Sequence, residues 1–120
     1  AVVTFNDAAA SGGSAHKLEA DAVGDYVEYD LNVSTAGQWQ VFFGYKQYSS
    51  RGIVQVSING VDIGSPIDQA GSSDWLEADL GSYDFMLAGT YTIRFTVVGS
   101  NTEVFDLTMD YLKLTYLGAL

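Results

Sequence analysis

Residues 45–60 read YKQYSSRGIVQVSING, and this stretch decides the fold. Ile53 to Ile58 alternates, with Val54, Val56 and Ile58 on one side, the period-two pattern of a strand with one buried face. Asn59-Gly60 follows at once. A type I′ hairpin turn needs positive φ at both central residues, and these two types tolerate it. Residues 61–63 are therefore expected to return as an antiparallel partner. Upstream, Tyr45 and Lys46 end a preceding strand, and the loop 47–52 carries a ring at Tyr48 and a guanidinium at Arg51. A rim loop that bears such groups between two strands is a candidate binding element.

The same alternation extends outward. In 25–33, Val27, Tyr29, Leu31 and Val33 oppose Tyr26, Glu28, Asp30 and Asn32. In 38–46, Trp39, Val41, Phe43 and Tyr45 share one face. Residues 75–80 place Leu76, Ala78 and Leu80 inward, with Trp75, Glu77 and Asp79 outward. In 91–98, Tyr91, Ile93, Phe95 and Val97 point to the core. A last strand spans 107–116, with Leu112, Leu114 and Tyr116 inward and Asp110 on their parity. Residues 1–5 and 18–21 are expected as short strands. Segments 6–14, 34–37, 64–74, 81–89 and 99–105 are expected as loops, turns or bends, on their Gly, Ser, Asn and Asp content. No window sustains a capped helical period. About eight short sequential strands imply an all-β fold, an antiparallel two-sheet β-sandwich.

The 120 residues suffice for one domain, here 1–120, with a core and no disulfides. With no Cys, thiol chemistry is excluded. A net charge of −10 repels nucleic acid and anionic lipid, so neither is an expected partner, and it favours a monomer. A neutral sugar or a basic partner suits this charge. An acidic polysaccharide would need Ca²⁺ or the Arg51 region to reverse the field. No stretch is long and apolar enough to span a bilayer. The chain opens without Met or a leader, which reads as a domain excised from a larger protein or a processed product.

Candidate residues follow from phase and position. Trp75 lies out of step with its inward neighbours, beside a polar loop, and could stack on a sugar; it could equally cover a sheet edge. Trp39 is in step with the core. Arg51 could bind hydroxyls or a carboxylate, or tie down an acid such as Asp68. Asp68, Asn101 and Glu103 could converge at one end or serve their own turns, and Phe105 could stack or anchor its loop. Asp110 on an inward parity needs a metal, an Arg such as Arg94, or backbone donors. The cluster of Asp21, Asp25, Glu28 and Asp30 reads chiefly as a solvated face. His16 is the sole His, and no nucleophile-elbow motif accompanies it. An enzyme is not expected.

Taken together, GDYVEYDLNVSTAGQWQVFFGY, RGIVQVSINGVDIGSP, LAGTYTIRFTVVGSN and MDYLKL, over residues 11–116, resemble the carbohydrate-binding modules of families six, thirty-five and thirty-six. These are galactose-binding-like β-sandwiches fused to bacterial glycoside hydrolases and polysaccharide lyases. The resemblance implies a jelly roll, secreted or at the cell surface. It implies binding of a poly- or oligosaccharide without catalysis and a covalently appended catalytic domain. Tyr48, Arg51, Asp68, Trp75, Asn101 and Phe105 are the expected ligand-binding residues, and Trp75 matches the Trp that closes the sugar site in such modules. The resemblance also implies a structural Ca²⁺ at Asp110, but the usual Glu-x-Glu of the opening strand is missing. Thr108 stands where a sugar-binding Asn is common in family six. The alternatives are a structural or adhesive spacer without a glycan site, or a small hydrolase.

Overall fold

The computed structural model describes residues 2–6 and 11–120. Their strands are β1 (Val2–Asn6), β2 (Ser14–Leu18), β3 (Tyr26–Val33), β4 (Gly37–Lys46), β5 (Ile53–Ile58), β6 (Val61–Asp68), β7 (Trp75–Phe85), β8 (Gly89–Gly99), β9 (Leu107–Met109) and β10 (Tyr111–Gly118). Every strand pairing among them is antiparallel. One layer has the order β3-β8-β5-β6. The other is built from β1-β2-β9 and β10-β4-β7. Only Asp110 separates β9 from β10, and its N–H donates to the Gly44 carbonyl at 2.9 Å. Residues 107–118 thus run as one kinked strand that links the two groups.

The alternating residues fill the space between the layers. Val41, Phe43, Val54, Val56, Ile58, Phe95 and Val97 are all buried, and Phe43 stacks on Tyr45 and packs at a tilt against Phe95. The Asn59-Gly60 turn forms with φ of 47° and 81°, as a type I′ hairpin requires.

Three segments depart from the sequence expectation, each because pairing overrode local composition. The second strand is Ser14–Leu18 rather than 18–21, since this stretch is paired on both sides, by β1 and by β9. Segment 64–74 is not all loop, because β6 continues through Pro66 to Asp68. β6 is an edge strand, where a residue without an N–H is tolerated. The register jumps from Val56↔Ile63 to Val54↔Ile67. The Gln55 side-chain amide fills this bulge, donating to the carbonyls of Val56 (2.9 Å), Gly64 (3.2 Å) and Ile63 (3.3 Å).

Segment 81–89 is likewise not a bend throughout, since β7 runs on to Phe85. The pairs Val41↔Gly81 and Phe42↔Asp79 leave Leu80 as an extra, buried residue. Past this bulge, Tyr83 and Phe85 turn to the core. Two single residues also differ. Leu76 is 39% exposed instead of inward, and Tyr116 is 45% exposed, lying edge-on to Trp39 with 4.9 Å between ring centres.

Candidate functional site

β4 ends on Lys46 and β7 begins on Trp75, and the two residues are paired across the sheet. At this end of the molecule three connections meet: 47–52, 69–74 and 100–106. Their backbones are knitted together. Tyr48 N–H donates to the Gln69 carbonyl at 3.0 Å, and Gly71 N–H to the Tyr48 carbonyl at 3.1 Å. Gln69 N–H donates to the Gly52 carbonyl, and Gly52 N–H to the Asp106 carbonyl.

Beneath the surface, buried side chains tie the same segments to β9. Arg51 Nε donates to Thr108 Oγ1 at 2.7 Å. The Gln69 amide makes a two-way link to Thr108, with Nε2 donating to its carbonyl (2.9 Å) and Oε1 accepting from its N–H (2.7 Å). Thr102 Oγ1 donates to the Arg51 carbonyl at 3.0 Å. Gln69 and Thr108 are fully buried, and every one of these polar atoms has a partner, as burial demands.

On that base lies a polar and aromatic surface. Tyr48 is 43% exposed. The Lys46 ammonium lies 5.6 Å from the Tyr48 ring centre and 5.3 Å from that of Trp75, within cation–π range of both. The Arg51 guanidinium carbon is 5.3 Å from the Tyr48 ring centre. Asn101 Nδ2 donates to Asp68 Oδ2 at 2.9 Å, and Asp68 Oδ1 accepts from Ala70 N–H. Tyr48, Arg51, Asp68, Trp75 and Asn101 are thus linked through shared partners at one rim.

Several expectations need revision in detail. Arg51 is only 8% exposed. It is held by Thr108 and by the Ser50 carbonyl and hydroxyl, not by Asp68. Burial lowers its pKa, while the charge of Asp106 and then of Tyr48 opposes that shift. The bonds to Thr108 and Ser50 hold the guanidinium carbon 5.3 Å from the Tyr48 ring centre. Thr108 is a buried anchor and presents no surface to a ligand. Phe105 is half-buried against the core, and Gly52 passes so close that an added Cβ would sit 3.2 Å from Phe105 backbone atoms. Arg94 pairs with Glu28 at 2.9 Å, not with Asp110.

Two rim residues were not picked out from sequence. Lys46 had a legible signal, being the last residue of an alternating strand beside the loop. Gln69 had none, because only the fold brings it to Thr108.

Asp110 is half-buried. It borders a cavity of about 280 Å³ between the layers, together with His16, Tyr29, Phe43, Phe95 and Tyr111. His16 Nδ1 and the Tyr29 hydroxyl are hydrogen-bonded there at 2.9 Å, and burial raises the Tyr29 pKa. No rim residue lines this cavity. The opening strand expected to help hold Ca²⁺ reads VVTFN and brings Thr4 opposite His16. Among the described residues no three His, Asp or Glu side chains converge as a metal site. Asp7 lies outside the described residues.

No family model matches the chain, and no curated protein matches it. Solved structures do. A region of a Paenibacillus xanthan lyase superposes with a TM-score of 0.90 at 34% identity over 98% of this chain. This chain spans only 12% of that lyase chain. A family 35 carbohydrate-binding module from Clostridium thermocellum matches with a TM-score of 0.65 at 20% identity, covering 96% of this chain and 92% of that one. One from Paenibacillus barcinonensis gives 0.66 at 22% identity, covering 95% and 88%.

The chain has the fold of the family 35 and 36 carbohydrate-binding modules. In this module fold the rim lies where β4, β7 and the long connections end together. No helix of the described residues is long and apolar enough to cross a membrane.

Proposed function

We propose that the chain is a non-catalytic carbohydrate-binding module whose rim takes part of a polysaccharide. One observation carries this reading. Tyr48 and Trp75, from distant parts of the chain, flank Lys46 at one rim. A pyranose packs its C–H face on an aromatic ring, and its hydroxyls need a few fixed donors and acceptors beside it. Lys46, Asp68 and Asn101 offer those groups. Apolar stacking supplies most of the affinity and the polar groups orient the sugar.

Two of the five basic residues, Lys46 and Arg51, lie at this rim beside the Tyr48 ring, together with the carboxylate of Asp68. The match to part of a xanthan lyase supports the further reading that the module is secreted and holds an appended polysaccharide-degrading enzyme on its substrate.

Affinity electrophoresis against a panel of neutral and acidic polysaccharides, with and without Ca²⁺, tests the proposal. The native chain should be retarded by at least one of them, and Tyr48→Ala and Trp75→Ala should run free. Free migration of the native chain through every gel would overturn the reading and leave a spacer. A requirement for Ca²⁺ would show that a metal takes part, and its loss in Asp110→Asn would assign the ion to Asp110.

A further inference from the structure

The sheet β10-β4-β7 has a second end, and its surface is of the opposite kind. From the Lys46↔Trp75 pair to the Gly37↔Phe85 pair the sheet extends roughly 30 Å, at about 3.3 Å per residue. At the far end Gly118 pairs with Gln38, and Gly37 pairs with Phe85. The ends of β10 and β7 therefore flank the start of β4, within about 10 Å of each other at the usual strand spacing. Beside the exposed Gln38 and Asp84, five exposed residues at this end are large and apolar: Met86 at 70%, Leu87 at 74%, Tyr116 at 45%, Leu117 at 51% and Leu120 at 60%.

A turn tip normally carries Gly, Asn, Asp or Ser. The connections at 34–36 and 100–103 obey this, reading Ser-Thr-Ala and Ser-Asn-Thr-Glu, but the β7–β8 connection reads Met86-Leu87-Ala88. The tip is also held in place. The Tyr91 hydroxyl donates to the Leu87 carbonyl at 2.6 Å and accepts from the Leu87 N–H at 3.3 Å. Phe85 packs edge-on to Tyr91, with ring centres 4.8 Å apart. Two exposed apolar side chains are thus presented on an ordered turn, beside three more at the end of β10. Grouped exposure of this kind marks an interaction surface.

We propose that this end is a docking face for an adjoining domain of the same polypeptide. The occupant is argued from two observations. The matched xanthan lyase carries 88% of its length outside the region that this chain spans, as the 12% coverage shows, so its equivalent region shares a polypeptide with a much larger remainder. Second, two copies of a chain with net charge −10 repel each other, which disfavours a second copy as the cover. The geometry also allows both ends to work at once, because the rim faces away from the docked domain. The proposal rests on the part of the functional reading that appends another domain, and not on sugar binding.

The test uses the full-length polypeptide that contains this chain, native and as Met86→Lys/Leu87→Glu. Both positions are largely exposed, so the module keeps its fold. Hydrogen exchange at 86–88 and 116–120 should be at least tenfold faster in the variant, and protease cleavage between the domains should rise several-fold. Retardation by polysaccharide should not change. Unchanged exchange and cleavage would overturn the proposal. So would a full-length polypeptide without a further domain, or a concentration-dependent dimer that the substitutions abolish, since that makes a second copy the occupant. Loss of polysaccharide retardation in the native protein alone would sink the functional reading and leave this one standing.

Discussion

The two ends of one sheet, β10-β4-β7, differ in how they are built. At the Lys46/Trp75 end the connections are long, and buried polar side chains bind them together: Arg51 and Gln69 both close on Thr108, and Thr102 closes on Arg51. The surface above them is aromatic and polar. At the Phe85 end the connections are short, one hydroxyl, that of Tyr91, holds the β7–β8 tip, and large apolar side chains stand exposed. Long loops cost more order than short turns. They stay rigid here because buried hydrogen bonds, expensive to leave half-made, hold them. The rim is thus a stiff platform under a polar surface, while the far end is a simple hairpin edge with unsatisfied apolar area.

The comparison breaks most readily at Arg51. Arg51→Ala leaves Thr108 Oγ1 without its donor in a closed interior, and chemical denaturation should show a loss of about 2 kcal/mol. Leu87→Glu at the other end should shift the same midpoint by less than about 0.5 kcal/mol. Equal losses at both ends would mean that the rim is not the cross-linked region described.

Next in size is the effect on binding. Trp75→Ala removes one of two rings at the rim without touching the buried links, and retention on the best polysaccharide should fall about tenfold or more, equal to about 1.4 kcal/mol. Thermal unfolding of the same variant should scarcely move. If both fall together, Trp75 is a structural cover.

Between the two ends lies Gly44, whose absent side chain lets Tyr111 lie flat on the sheet. A Cβ there would stand 2.2 Å from the Tyr111 ring. Gly44→Ala should cost about 1 kcal/mol as the ring is displaced, read by denaturation. It should also break the Tyr111–Glu77 hydrogen bond of 2.8 Å. That outcome would sharpen the picture of the middle of the sheet as a packed outer face, distinct from both ends.

The smallest effect expected is a pH dependence at that face. The Glu77 pKa is lowered, first by its hydrogen bond to Lys113 and then by that to Tyr111. A lowered carboxylate pKa stabilises the fold above its unfolded value, and that contribution disappears as the pH falls through the folded value. Burial, and then Glu77, push the Tyr111 pKa up to about 12. A raised pKa stabilises below the unfolded value and is lost as pH rises through about 12. Glu77→Gln should therefore flatten the acid limb of a stability profile, and Tyr111→Phe the alkaline limb. Unaltered limbs would show that solvent screens the whole network.

The sequence by itself determined which residues face the core along β3, β4, β5 and β8. A strand's side chains alternate strictly, so Val54, Val56, Ile58, Ile93, Phe95 and Val97 declare their face locally. The turn at Asn59-Gly60 was equally local, being set by the φ values those residues tolerate. What only the tertiary structure decided is everything that depends on a partner strand. Gly64, Ser65 and Pro66 look like loop until β5 pairs with Ile63 and Ile67 on either side of them, and the bulge at Leu80 shifts the phase so that Tyr83 and Phe85 point inward. The exposure of Tyr48 and the burial of Arg51, three positions apart in one loop, follow from Thr108 on a strand 57 residues away in sequence. Local pattern states which side of a strand is apolar, whereas long-range pairing states which loops meet. The candidate site is made of loops that meet.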